Sequence, residues 1–65
     1  MIFKGYVSTI DNAAHRARII LKDMDDSVTP ELPFALHIGS LEVNDMVAVI
    51  FFSKSMADGL IIAKF

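Results

Sequence analysis

Sixty-five residues, 54% of them hydrophobic, with a formal net charge of −2, describe one small domain. The chain has no cysteine, which excludes disulfides and thiolate metal sites, and its two histidines, His15 and His37, are too few for a metal cage. An isoelectric point near 5.4 argues against a general phosphate-backbone binder, which is basic as a rule.

The first predicted strand covers residues 2–10, rich in β-branched and aromatic side chains. Gly5 lies inside it and marks a bulge, a corner or a close backbone approach. Asp11-Asn12 reads as a turn, completed by Ala13-Ala14-His15. The second strand, 16–22, alternates most clearly: Ala17, Ile19 and Leu21 share one face, Arg16, Arg18, Ile20 and Lys22 the other. An acidic loop, 23–27, follows. The third strand is placed at 31–38, with Leu32, Phe34, Leu36 and Ile38 on one face, and Pro33 puts its start at a sheet edge or bend. Gly39-Ser40 ends it. The fourth strand, 46–52, is apolar on both faces. Asp58-Gly59 is a strong hairpin signal ahead of a fifth strand at 60–65, again apolar on both faces. Helical periodicity never persists. Short strands at this spacing predict an all-β fold, a small five-stranded Greek-key barrel of the OB type, with an SH3-like barrel as its structural rival.

No catalytic constellation has a specific spacing. Gly5, Gly39 and Gly59 lie too far apart for a phosphate loop, and no His-Glu-x-x-His or Gly-x-Ser-x-Gly occurs. Asp23, Asp25 and Asp26 lack the glycine and terminal glutamate of a calcium loop and read as a solvated turn. The expectation is a protein that is not an enzyme and needs no metal or cofactor. The opening residues contain no apolar signal segment, and the longest apolar run, 46–52, is far short of the roughly 18 residues of a membrane helix. Synthesis in the cytoplasm without membrane insertion is expected.

The composition points to a protein partner. A domain of this size buries only about 60% of its unfolded surface, and its core alone rarely supplies more than about 3–5 kcal/mol. Mean hydropathy is nevertheless +0.51. If Val47, Val49 and Phe51 point inward, Ile50 and Phe52 point outward; on the fifth strand either Leu60 and Ile62, or Ile61, Ala63 and Phe65, face out. The candidate interface is Ile20, Ile50, Phe52, Ile61 and Phe65, because contiguous apolar surface marks an interaction site. An alternative face for single-stranded nucleic acid combines Lys4 and Tyr6 with Arg16 and Arg18, the cations flanking the ring if the first two strands pair. One aromatic and an acidic chain make it the weaker reading.

Four stretches in order carry a family resemblance: Gly5-Tyr6-Val7-Ser8-Thr9-Ile10-Asp11; His15-Arg16-Ala17-Arg18-Ile19 with its acidic loop; Val28-Thr29-Pro30-Glu31-Leu32-Pro33; and Val43-Asn44-Asp45-Met46-Val47-Ala48-Val49-Ile50-Phe51, closed by Asp58-Gly59-Leu60-Ile61-Ile62. Together they resemble the OB domain of the phage baseplate assembly protein V and tail-spike family, found in contractile tails and injection systems. The resemblance implies a virion structural protein, a homotrimer on the tail axis seated against baseplate hub proteins. It implies assembly into a tail or prophage-derived particle after synthesis in the host cytoplasm. Family spikes carry a β-helix and a metal-capped tip after this domain, whereas this sequence stops at Phe65, so a spike base, hub plug or adaptor ring is expected rather than a membrane-piercing tip.

Overall fold

A computed structural model describes residues 2–65. They form one antiparallel sheet of six strands, β1 (Ile2–Asp11), β2 (Arg16–Leu21), β3 (Ser27–Val28), β4 (Leu32–Pro33), β5 (Met46–Phe51) and β6 (Gly59–Lys64), with two 3-10 turns at Lys22–Met24 and Leu36–Ile38. The order is β3-β2-β1-β5-β6, and β4 also pairs with β2. The all-β expectation and four of the five expected strands hold, to within a residue or so at their ends.

β1 is the hub because it is long enough to serve two partners. Its first half pairs with β5, from Ile2 opposite Ile50 to Tyr6 opposite Met46, and its second half pairs with β2, from Gly5 opposite Leu21 to Asp11 opposite Arg16. The ladder to β5 is extended by Val7, whose N–H donates to Asp45 O and whose carbonyl accepts from Asn44 N. A bulge between Val7 and Thr9 bends the strand. Gly5 sits where the two ladders overlap, and a Cβ there would lie 2.5 Å from Ile20 O and 2.6 Å from Ile19 Cγ2. Of the three readings the sequence leaves open at Gly5, the close backbone approach is therefore the reason for this glycine.

One face of the sheet wraps a core of Val7, Ala17, Ile19, Leu21, Leu32, Phe34, Leu41, Val47, Val49 and Ile61. Period-two alternation supplies it: Ala17, Ile19 and Leu21 from β2, Val47 and Val49 from β5. Asn12, expected only to turn the chain, also ties that turn to the loop ahead of β5. Its Nδ2 donates to Leu41 O and its Oδ1 accepts from Leu41 N, both at 3.2 Å.

Two expectations need correction. Ser27, assigned to the acidic loop, begins the short strand β3, with Val28 opposite Ile20. Thr29 locks it: its N–H donates to Ile19 O at 2.9 Å and its Oγ1 accepts from Ile19 N at 3.0 Å. Thr29 is fully buried, so Thr29→Val should leave the Ile19 N–H unsatisfied and cost about 1–3 kcal/mol in a urea melt. The strand expected at 31–38 is likewise only the dipeptide β4. Pro33 has no N–H to give, the Phe34 N–H donates to His15 O, and the Ala35 N–H donates to Ile61 O at 2.8 Å. The chain crosses from the edge of β2 to the edge of β6 instead of running along either. It then turns at Leu36–Ile38, leaving Leu36 86% exposed. The ladders leave the sheet open between β4 and β6, where a single parallel bridge joins Phe34 to Ile61.

Candidate interaction surface

The alternation that fills the core leaves the opposite side chains of β1, β2, β5 and β6 on the outer face of the sheet, and the register aligns them in rows. Ile2, Ile50 and Leu60 form one row across β1, β5 and β6. Lys4, Ala48 and Ala63 form the next. Met46, Tyr6, Ile20 and Val28 form the third, across β5, β1, β2 and β3. Ile2 is 62% and Val28 49% exposed, Lys4 is exposed as well, and the remaining side chains of the rows are half-buried. Only Lys4 interrupts the apolar surface within these rows. Cross-strand neighbours about 5 Å apart make such rows continuous.

Of the five side chains expected at an interface, Ile20 and Ile50 lie on this face, in different rows. Ile61 does not: it is fully buried opposite Val49. The fifth strand was open to either phase, and the hairpin decides it, because the Phe52 N–H donates to Asp58 O and sets Gly59 opposite Phe51 and Leu60 opposite Ile50. A register shift at Ala48/Val49 then brings Ala63 opposite Ala48. Phe52 and Phe65 are both well exposed but stand at opposite ends of the β5–β6 hairpin. Phe52 borders an apolar cleft of about 420 Å³ lined by Phe3, Met24, Phe51 and Met56, with Lys54 at its edge. Phe3 and Phe51 meet there edge to face at 5.6 Å. The five therefore do not form one patch. Ile2, Met46, Tyr6 and Leu60 complete the apolar rows; of these the sequence places Tyr6 only on the nucleic-acid face and leaves Leu60 open to either side. For Ile2 and Tyr6 the signal was present in their alternation around Lys4.

The alternative basic face is also rearranged. Lys4 and Tyr6 share the outer face, but Tyr6 faces Ile20, while Arg18 lies opposite Thr9 and Arg16 opposite Asp11. The cation beside the Tyr6 ring is Lys22, with Nζ 5.7 Å from the centroid. Ile20, Tyr6, Lys22 and Asn44 line a shallow concavity there.

The remaining polar groups have structural surroundings. His15 adopts φ 60° and stacks on Phe34 with ring centroids 3.8 Å apart, and His37 is exposed in the second 3-10 turn. In the acidic turn, Asp25 and Asp26 take left-handed backbone conformations, and Lys22 Nζ lies 3.4 Å from Asp26 Oδ1 in a solvent-exposed pair. Among the described residues no group of three His, Asp or Glu side chains is placed to hold a metal ion. Compared with known families and with curated proteins, the chain matches no family model and no curated protein.

Proposed function

We propose that this chain is a homo-oligomeric OB-type barrel module of a phage tail or contractile injection-system baseplate, forming the base of the spike or a hub plug or adaptor, with a trimer as the favoured state. The barrel reading is supported by the order of contacts. β1 pairs with β2 and β5, β2 with β4, and β5 with β6, while Phe34, just after β4, meets Ile61 of β6 in parallel. That circuit matches a partly open Greek-key barrel. The baseplate assignment draws on the motif resemblance.

One observation carries the self-association: the outer face of β1, β5 and β6 is an apolar surface continuous across three strands. Surfaces of this kind mark interaction sites in a soluble protein. A standard interface covers about 800 Å² on each partner, roughly a fifth of this molecule's 3943 Å² surface. Light scattering coupled to size exclusion should show an oligomer. Ile50→Asp, which sets a carboxylate in the Ile2–Ile50–Leu60 row, should convert it to a folded monomer. A wild-type monomer at high micromolar concentration overturns the proposal. The genes flanking its own should encode tail or baseplate proteins.

A second reading, single-strand nucleic-acid binding, draws on Lys22 beside the Tyr6 ring, on Lys4 of the same strand as Tyr6, and on Arg18 and Arg16 farther along β2 on the same sheet face. It predicts binding to oligonucleotides that weakens steeply with salt.

A further inference from the structure

The charges of this chain are sorted by location. Lys4, Arg16, Arg18 and Lys22, four of its six lysines and arginines, stand on or beside the outer sheet face. Among the described residues, Asp11, opposite Arg16, is the only carboxylate side chain within a strand. The other seven of the eight carboxylates lie in turns and loops, with Asp23, Asp25 and Asp26 gathered just beyond β2. The one salt bridge among the described residues, Lys22 to Asp26, leaves Asp23 and Asp25 without a cation.

The acidic turn does not neutralise the arginines of its own molecule, and on their own ladder only Asp11 faces one of them, Arg16. The acidic turn follows the last residue of β2, whereas Arg16 and Arg18 occupy its first half. At about 3.3 Å per residue the separation approaches 20 Å, about twice the 8–10 Å screening length at physiological salt. With Lys22 paired to Asp26, contact between two identical sheet faces would bring Lys4, Arg16 and Arg18 of each copy, six cations, together against two Asp11 side chains, and juxtaposed like charges cost several kcal/mol.

Resting on the reading that the chain self-associates, we propose that copies join face to end: the apolar, cationic sheet face of one copy receives the acidic turn of the next. The second copy is the occupant favoured by charge, since it brings the complementary sign on an exposed turn that also carries apolar Met24, itself 37% exposed. Unlike surfaces in contact make the interface heterologous, and such an interface closes into a ring when the rotation permits.

Charge reversal tests this on the whole chain. Arg16→Glu with Arg18→Glu, and separately Asp23→Lys with Asp25→Lys, should each weaken self-association about tenfold or more, with the folded circular dichroism spectrum retained. The quadruple variant should restore it, because the reversed pairs again match. Association of the wild type should weaken near 1 M salt, where the screening length falls to about 3 Å. Oligomers indifferent to both reversals, or a quadruple variant no stronger than either double, overturn the face-to-end contact while leaving self-association standing. A wild-type monomer overturns both. A monomer that binds a fluorescent thymidine oligonucleotide, and loses it on Arg16→Glu with Arg18→Glu, assigns the face to nucleic acid instead.

Discussion

Gly5→Val is expected to strip the domain of most of its stability at room temperature. A Cβ at this position lies 2.5 Å from the carbonyl oxygen of Ile20 and 2.6 Å from Cγ2 of Ile19. Neither neighbour can step aside cheaply. Ile20 is held between Tyr6 of β1 and Val28 of β3, and Ile19 is fully buried and bonded through its backbone to Thr29. β1 cannot retreat either, because at Gly5 it also pairs with Val47 on its other side. Forcing atoms into a packed site costs about 1–3 kcal/mol and occasionally more. With a core that rarely supplies more than about 3–5 kcal/mol, a loss on the order of 3 kcal/mol removes most of the stability. Urea titration followed by circular dichroism measures it, and Gly5→Ala should move the midpoint in the same direction by less. An alanine variant with an unchanged midpoint would mean that β1 and β2 can separate at this point at no cost.

The glycine at position 5 was legible as a special backbone point, but only the overlap of the two ladders picks close approach from the bulge and the corner that the sequence also allowed. β2 was legible because its two faces differ in polarity, so Arg16, Arg18 and Lys22 reveal where Ala17, Ile19 and Leu21 must point. The stretch after Pro30 misled because Leu32, Phe34, Leu36 and Ile38 keep the spacing of a strand, while the deciding events are non-local. Phe34 finds His15 and Ala35 finds Ile61, and neither partner is visible from local periodicity. β3 is too short to carry a pattern, and Thr29 holds it through a hydroxyl that a sequence reading counts only as β-propensity. The interaction surface was half legible. An apolar excess predicts a covered surface without saying where it lies, since in β5 and β6 both faces are greasy and hydropathy cannot tell inside from outside. The hairpin hydrogen bond at Phe52 and the shift at Ala48/Val49 choose for it.

That choice has a direct test in adjacent residues of one strand. Ile61 is fully buried opposite Val49, and its carbonyl also accepts from Ala35 N, so this point of β6 ties the sheet to the segment after β4. Leu60 points the other way, half-buried beside Ile50 on the outer face. Ile61→Ala removes atoms from a closed core and should cost about 2–5 kcal/mol, enough to unfold much of the population. Whatever remains folded should self-associate as the wild type does, once concentrations are corrected for the folded fraction. Leu60→Ala should do the reverse, lowering stability by less than about 1.5 kcal/mol, since only part of the side chain is covered, while weakening self-association. Urea melts and sedimentation of the two variants side by side separate the roles. If Leu60→Ala proved the more destabilising, the phase of β6 would be inverted and the outer face would have to be redrawn around Ile61. If both variants sedimented as the wild type does, the Leu60 row would not be where copies meet.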